Sequence, residues 1–87
     1  MNVDWSDEAR DELSIIYRDL ERVSLDRAIH AVSRLTEASV RLRDFPEMGR
    51  VASGYGAAGL REVLVDRYRL IYFLHPTKVE IIAIRYQ

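Results

Sequence analysis

The chain is 87 residues long, 48% apolar and 31% charged, with no cysteine and a net charge of −1. That length makes one domain, able to bury roughly 60–65% of its unfolded surface without staples. The lack of cysteine excludes disulfides and thiolate metal sites and fits a reducing cytoplasm; with no run of about 18 apolar residues and an acidic N-terminus, neither a membrane span nor a secretory signal is expected.

Asn2-Val3-Asp4-Trp5 alternates, with Val3 and Trp5 on one face, and reads as a short edge strand. Ser6 follows as an N-cap, with Asp7 and Glu8 where carboxylates favour the positive end of a helix. Ala9, Leu13, Ile16, Leu20 and Val23 then recur at steps of four and three, the stripe of a helix from about Asp7 to Val23. Ser24 caps a second helix, with Asp26 in its first turn. Leu25, Ala28, Val32, Leu35 and Leu42 mark its buried face, and Ser39 is the one polar residue in register. With so short a break the two helices form an antiparallel hairpin. Ile29, Ala31, Ala38 and Val40 widen the apolar surface, leaving room for a partner.

Pro46 pushes Phe45 out of the helical region and stops the second helix, and Phe45 is expected to anchor this turn in the core. Residues 51–59 are small and glycine-rich, the loop expected to be most mobile. Within them Gly54-Tyr-Gly-Ala-Ala-Gly59 matches the dinucleotide pattern G-x-G-x-x-G. That mechanism needs a strand before the glycines and a helix after them, and here a strand follows, so no nucleotide cofactor is expected.

Residues 60–87 hold three runs rich in β-branched and aromatic residues, split by Asp66-Arg67 and by His75-Pro76-Thr77-Lys78. They read as a three-stranded antiparallel meander, apolar on both faces, completing an α+β fold. If Leu74 and Val79 flank a four-residue loop, opposed residues sum to 153 and Arg69 faces Ile84. A one-residue change pairs Arg69 with Arg85 instead. A two-residue loop at Asp66-Arg67 sets Arg61 opposite Tyr72, away from Arg69.

His30 and His75 have no cysteine or paired histidine at ligand spacing, so no metal site is expected. The carboxylates read as first-turn and solvated-face charges, with no acid–base pair among them. The arginines are more informative. Residues 1–48 carry 7 Arg against 11 Asp and Glu, whereas residues 49–87 carry 6 Lys and Arg against 3 acids. Arg61, Arg69 and Arg85 lie inside apolar strands, where a charge needs a surface or a partner. With Arg67, Lys78 and the nearby Tyr68, Tyr72 and Tyr86 they suggest a surface for gripping a macromolecule. The overall acidity argues against non-specific nucleic-acid binding.

This order of elements, with Phe45-Pro-Glu-Met-Gly-Arg50, Leu60-Arg-Glu62, Tyr68-Arg-Leu-Ile-Tyr72 and Val79-Glu-Ile-Ile-Ala83, resembles the RelE/ParE superfamily of type II toxin–antitoxin toxins over nearly the whole chain. The resemblance implies a β-α-α-β-β-β fold and two functions. RelE- and YoeB-like members cut messenger RNA on the ribosome; on that reading Arg69, Arg85 and Tyr86 are the catalytic candidates. Gln87, however, stands where the YoeB-like ending has a catalytic histidine, and glutamine has no titratable proton. ParE-like members are similar to inhibitors of DNA gyrase that need no catalytic residues, and this branch fits better, with Arg50, Arg61, Arg67 and Tyr68 as candidate target-binding residues. The superfamily also implies a cognate antitoxin laid over the hairpin and sheet, for which Tyr17, Ile29 and Val40 are candidate contacts. A toxin-fold protein that only binds an antitoxin is a third reading.

Overall fold

The computed structural model describes residues 1–52 and 59–87. In chain order they form β1 (Asn2–Trp5), α1 (Asp7–Glu21), α2 (Leu25–Arg41), β2 (Arg50–Val51), β3 (Leu60–Val65), β4 (Tyr68–Leu74) and β5 (Lys78–Tyr86). One five-stranded sheet has the order β1-β5-β4-β3-β2. β1 runs parallel to β5, and the other neighbours are antiparallel. The expected α+β order is present. β2 was not foreseen: Arg50 and Val51 pair with Glu62 and Arg61 in a stretch that reads as irregular. The match to the dinucleotide pattern, apart from Gly59, and most of the expected mobile loop fall at residues 53–58, outside the described residues.

Both helix starts are capped as their sequences require. The Ser6 hydroxyl accepts from the Ala9 N–H at 3.1 Å, and the Ser24 hydroxyl from the Arg27 N–H at 3.2 Å. Asp7 and Glu8 occupy the first turn of α1, and Asp26 that of α2. α1 ends at Glu21, so Val23 leaves the expected stripe for the hairpin turn, where it is 75% exposed.

Ala9, Ile16, Ala31, Leu35, Ala38 and Leu42 of the hairpin region close a core over Val65, Tyr68, Leu70, Tyr72, Val79, Ile81 and Ile84 of the sheet. Alternation along each strand sends the remaining side chains to the other face, here called the open face because no described helix packs on it. Arg69, Ile71 and Phe73 of β4 lie on that open face, with Glu62 on β3 opposite Ile71.

The β4–β5 ladder follows both sequence registers in turn. Leu74↔Val79, Phe73↔Glu80 and Tyr72↔Ile81 keep the first, and a bulge then shifts the rest to Ile71↔Ala83, Leu70↔Ile84 and Arg69↔Arg85. The one-residue change arises from an extra residue within β5 rather than from the loop. A bulge here keeps Ile84 in the core beside Leu70 while setting Arg85 next to Arg69. The two-residue turn at Asp66 and Arg67 sets Arg61 opposite Tyr72, as read. Asp66 takes a left-handed φ of 54°, which aspartate tolerates better than most residues.

Phe45 does not anchor its turn. It is 64% exposed, and the turn is held from the sheet instead. The fully buried Tyr72 hydroxyl donates to the Pro46 carbonyl at 2.7 Å and accepts from the Gly49 N–H at 3.0 Å. A phenol in a core needs such partners, and two backbone groups of an irregular turn need satisfying in return.

Candidate functional site

The strand arginines resolve into separate clusters, each built by a different part of the chain. Arg61, opposite Tyr72 on the helix-facing side, bends to the turn before β2. Its Nη1 donates to the carbonyls of Glu47 at 3.2 Å and Gly49 at 2.8 Å. Arg61 and Tyr72 together clamp one short turn, which gives Arg61 a structural task.

On the open face, Arg69 meets Glu62. The Glu62 side chain has no exposure and accepts from Arg50 Nε at 3.2 Å and from Arg69 Nη1 at 3.3 Å. Arg69 also donates through Nε to the Tyr86 carbonyl at 3.4 Å. Arg50 is the more accessible of the two cations, with 61% of its side chain exposed against 24% for Arg69. A carboxylate at such depth is stable only when matched by charge and donors, and here two guanidiniums supply both.

Arg85 is Arg69's cross-strand neighbour, but its guanidinium turns the other way, to α1. It pairs with Glu12 and, at 3.6 Å, with Glu8. Glu12 also accepts the Ile84 N–H at 2.9 Å. β1 covers β5 only from Lys78 to Ile81, so Ile84 lies beyond its reach. Glu12 therefore supplies an acceptor that a neighbouring strand would otherwise provide. Arg61, Arg69 and Arg85 thus do not share one face-wide patch. Each is held by local partners.

The β3–β4 turn carries Arg67, exposed, beside Asp66. Arg34 Nε binds Asp66 at 3.2 Å, and this hydrogen bond holds the Asp66 carboxyl below the usual carboxylate range. Leu20, Asp26, Arg27, His30, Asp66, Arg67 and Tyr68 line a shallow groove of about 530 Å³ there. Tyr68 itself is 4% exposed and belongs to the core; burial pushes its phenol up. Its ring lies 5.4 Å from that of Tyr86, which is 65% exposed. Gln87 closes this end, its N–H donating to the Arg67 carbonyl at 2.9 Å and its side-chain amide to the Asp66 carbonyl.

His75 pairs with Glu80 at 2.9 Å and packs on Phe73, at the opposite end of β4 from Tyr68. Among the described residues no group of three His, Cys, Asp or Glu side chains could hold a metal ion. On the hairpin, Ile29 and Val40 are 49% and 45% exposed, and Tyr17 is half-buried. Ile15 and Leu25 add exposed apolar surface to the same hairpin.

Two carboxylates that organise these clusters, Glu62 and Glu12, are missed by sequence reasoning. Glu62 gives a signal in hindsight: a lone acid within Leu-Arg-Glu-Val-Leu-Val is as costly as the arginines in the same sheet. Glu12 gives none, since its spacing on α1 is that of any solvated helix face.

The model of the family described as ParE toxin of type II toxin-antitoxin system, parDE, matches residues 3–87. A solved structure titled chromosomal ParDE TA system from P. aeruginosa superposes with a TM-score of 0.81 at 18% identity, over 99% of this chain and 95% of that one. A second, titled YoeB/ParE toxin from Agrobacterium tumefaciens, gives a TM-score of 0.69 at 17% identity, over 100% and 99%. At these identities the two likenesses establish the fold. A search of curated proteins finds no match.

Proposed function

Because this chain belongs to the ParE toxin family of type II toxin–antitoxin systems, we propose that it arrests growth by gripping a protein target, DNA gyrase foremost, and that a cognate antitoxin neutralises it. The observation that carries this reading is the engagement of the would-be catalytic groups. Arg69 is held by Glu62 and Arg85 by Glu12, so neither guanidinium is set to stabilise a cleaving phosphodiester. General acid–base catalysis also needs a titratable group within reach, and an arginine is not one. Gln87 is tied to the β3–β4 turn, and His75 lies at the far end of β4. Tyr86 remains exposed but has no base beside it in these clusters. Binding a protein target requires none of this chemistry.

For the target, Arg50 and Arg67 are the accessible candidates, while Arg61 and Tyr68 act by holding the structure that presents them. For the antitoxin, Ile29 and Val40, with Tyr17 at their margin, offer apolar surface to a segment that orders as it binds. No described helix is long and apolar enough to cross a membrane, and a site of action in the cytoplasm is part of the proposal.

Inducing the protein alone tests this. Growth should stop with a DNA-damage response while translated messages stay intact, and co-expressed antitoxin should restore growth. Cleavage of messages at the ribosomal A site, abolished by Arg69→Ala, would replace the proposal with a ribosome-dependent ribonuclease. Unaltered growth would leave a toxin fold that only binds an antitoxin.

A further inference from the structure

A fully buried carboxylate lies on the face of the sheet turned away from the hairpin. Glu62 is 1% exposed, and its two oxygens are shared between Arg50 and Arg69. Two guanidiniums converging on one pair of oxygens form the arrangement with which proteins take a phosphate or carboxylate from a ligand. Here the anion is part of the chain. Arg50 comes from β2 and Arg69 from β4, on the two strands flanking β3, so the sheet register itself delivers both cations to Glu62.

We propose that Glu62 is the resident anion of an Arg50–Arg69 site and that its carboxylate keeps the open face from binding a phosphate backbone. The cluster of two arginines and one carboxylate carries a single net positive charge. Neutralising Glu62 doubles that charge and releases both guanidiniums toward solvent, which Arg50 already reaches with most of its side chain. Glu62 is in this sense a specificity residue. With its cations occupied, the face recognises protein surface and passes over nucleic acid. The inference builds on the toxin reading above and assigns the partner class of the same face.

The test is binding of a short fluorescent single-stranded RNA, followed by anisotropy at low and moderate salt. Glu62→Gln, nearly the same shape without the charge, is expected to bind about ten-fold more tightly than the wild type. Its salt slope should steepen by about 0.7 for each arginine released. Adding Arg69→Ala and Arg50→Ala to Glu62→Gln leaves the cluster uncharged and should bring affinity down to the wild-type level or below. A folded Glu62→Gln protein that binds RNA no better than the wild type overturns the proposal, as does a gain that survives loss of both arginines. If Glu62→Gln does not fold, the wild type decides. The Nε–H signals of Arg50 and Arg69 should stay unmoved by inorganic phosphate relative to matched chloride, and titrating shifts at both overturn the assignment. Neither readout involves gyrase or an antitoxin, so this proposal can fail while the toxin reading stands, and the reverse.

Discussion

Replacing Gly49 with alanine is expected to destabilise the domain by about 3 kcal/mol, at the upper end of what overpacking costs. A Cβ at this position would lie 2.6 Å from the Tyr72 hydroxyl oxygen, 2.7 Å from its Cε1 and 2.9 Å from the Glu62 carbonyl oxygen. The tyrosine cannot step aside, because its ring is fully buried and its hydroxyl bridges Pro46 and Gly49. The carbonyl cannot move either, since it belongs to a strand paired on both sides. The turn must therefore lift off the sheet, which also breaks the Arg61 bonds to Glu47 and Gly49. Tyr72→Phe should cost less, about 1–3 kcal/mol, for two backbone groups left without a partner. Phe45→Ala should be close to neutral, given its exposure. Urea unfolding of the three variants gives the ranking.

Tyr72 also imprints a pH dependence. Burial raises its phenol above the ordinary tyrosine value, and the Gly49 N–H bond opposes this in part. A group whose folded value is raised contributes stability that is intact below its unfolded value, about 10, and is lost as pH rises through the folded one. Stability should therefore fall in strongly alkaline solution, and Tyr72→Phe should weaken the fall. Tyr68, raised likewise by burial, keeps the remainder.

Glu62→Ala is the second large effect, an expected loss of about 3 kcal/mol. Removing one member of a buried ion pair typically costs 3–5 kcal/mol because the other charge stays behind unpaired. The lower end applies here, since Arg50 and Arg69 are partly exposed and can recover water. The loss should be visible as a lower urea midpoint with an unchanged slope. Arg50→Ala should cost less than Arg69→Ala, because the better-solvated cation contributes less to the pair.

What could be read from the sequence was whatever is decided locally. Ser6 and Ser24 are caps because the N–H groups they satisfy lie three residues on. The two-residue turn at Asp66 and Arg67, flanked by apolar runs, set the β3–β4 register without help from the rest of the chain. The bulge in β5 was hidden because Ile81, Ile82, Ala83 and Ile84 are all apolar, so no alternation marks which face each one takes. Phe45 misled because burial was inferred from its type, whereas Tyr72, 26 residues from Pro46, already filled the place beneath the turn. The arginines were visible as costly charges in strands. Their partners were not, since Glu62 lies on the strand next to Arg69, 7 residues away, and Glu12 lies 73 from Arg85.

With Arg50 and Arg67 proposed to meet a protein target, titrating the purified protein into a DNA gyrase supercoiling reaction is the most direct test. Relaxed plasmid should fail to become supercoiled as the protein is added, and the block should disappear when antitoxin is present. Full supercoiling at every concentration of folded protein would contradict the account.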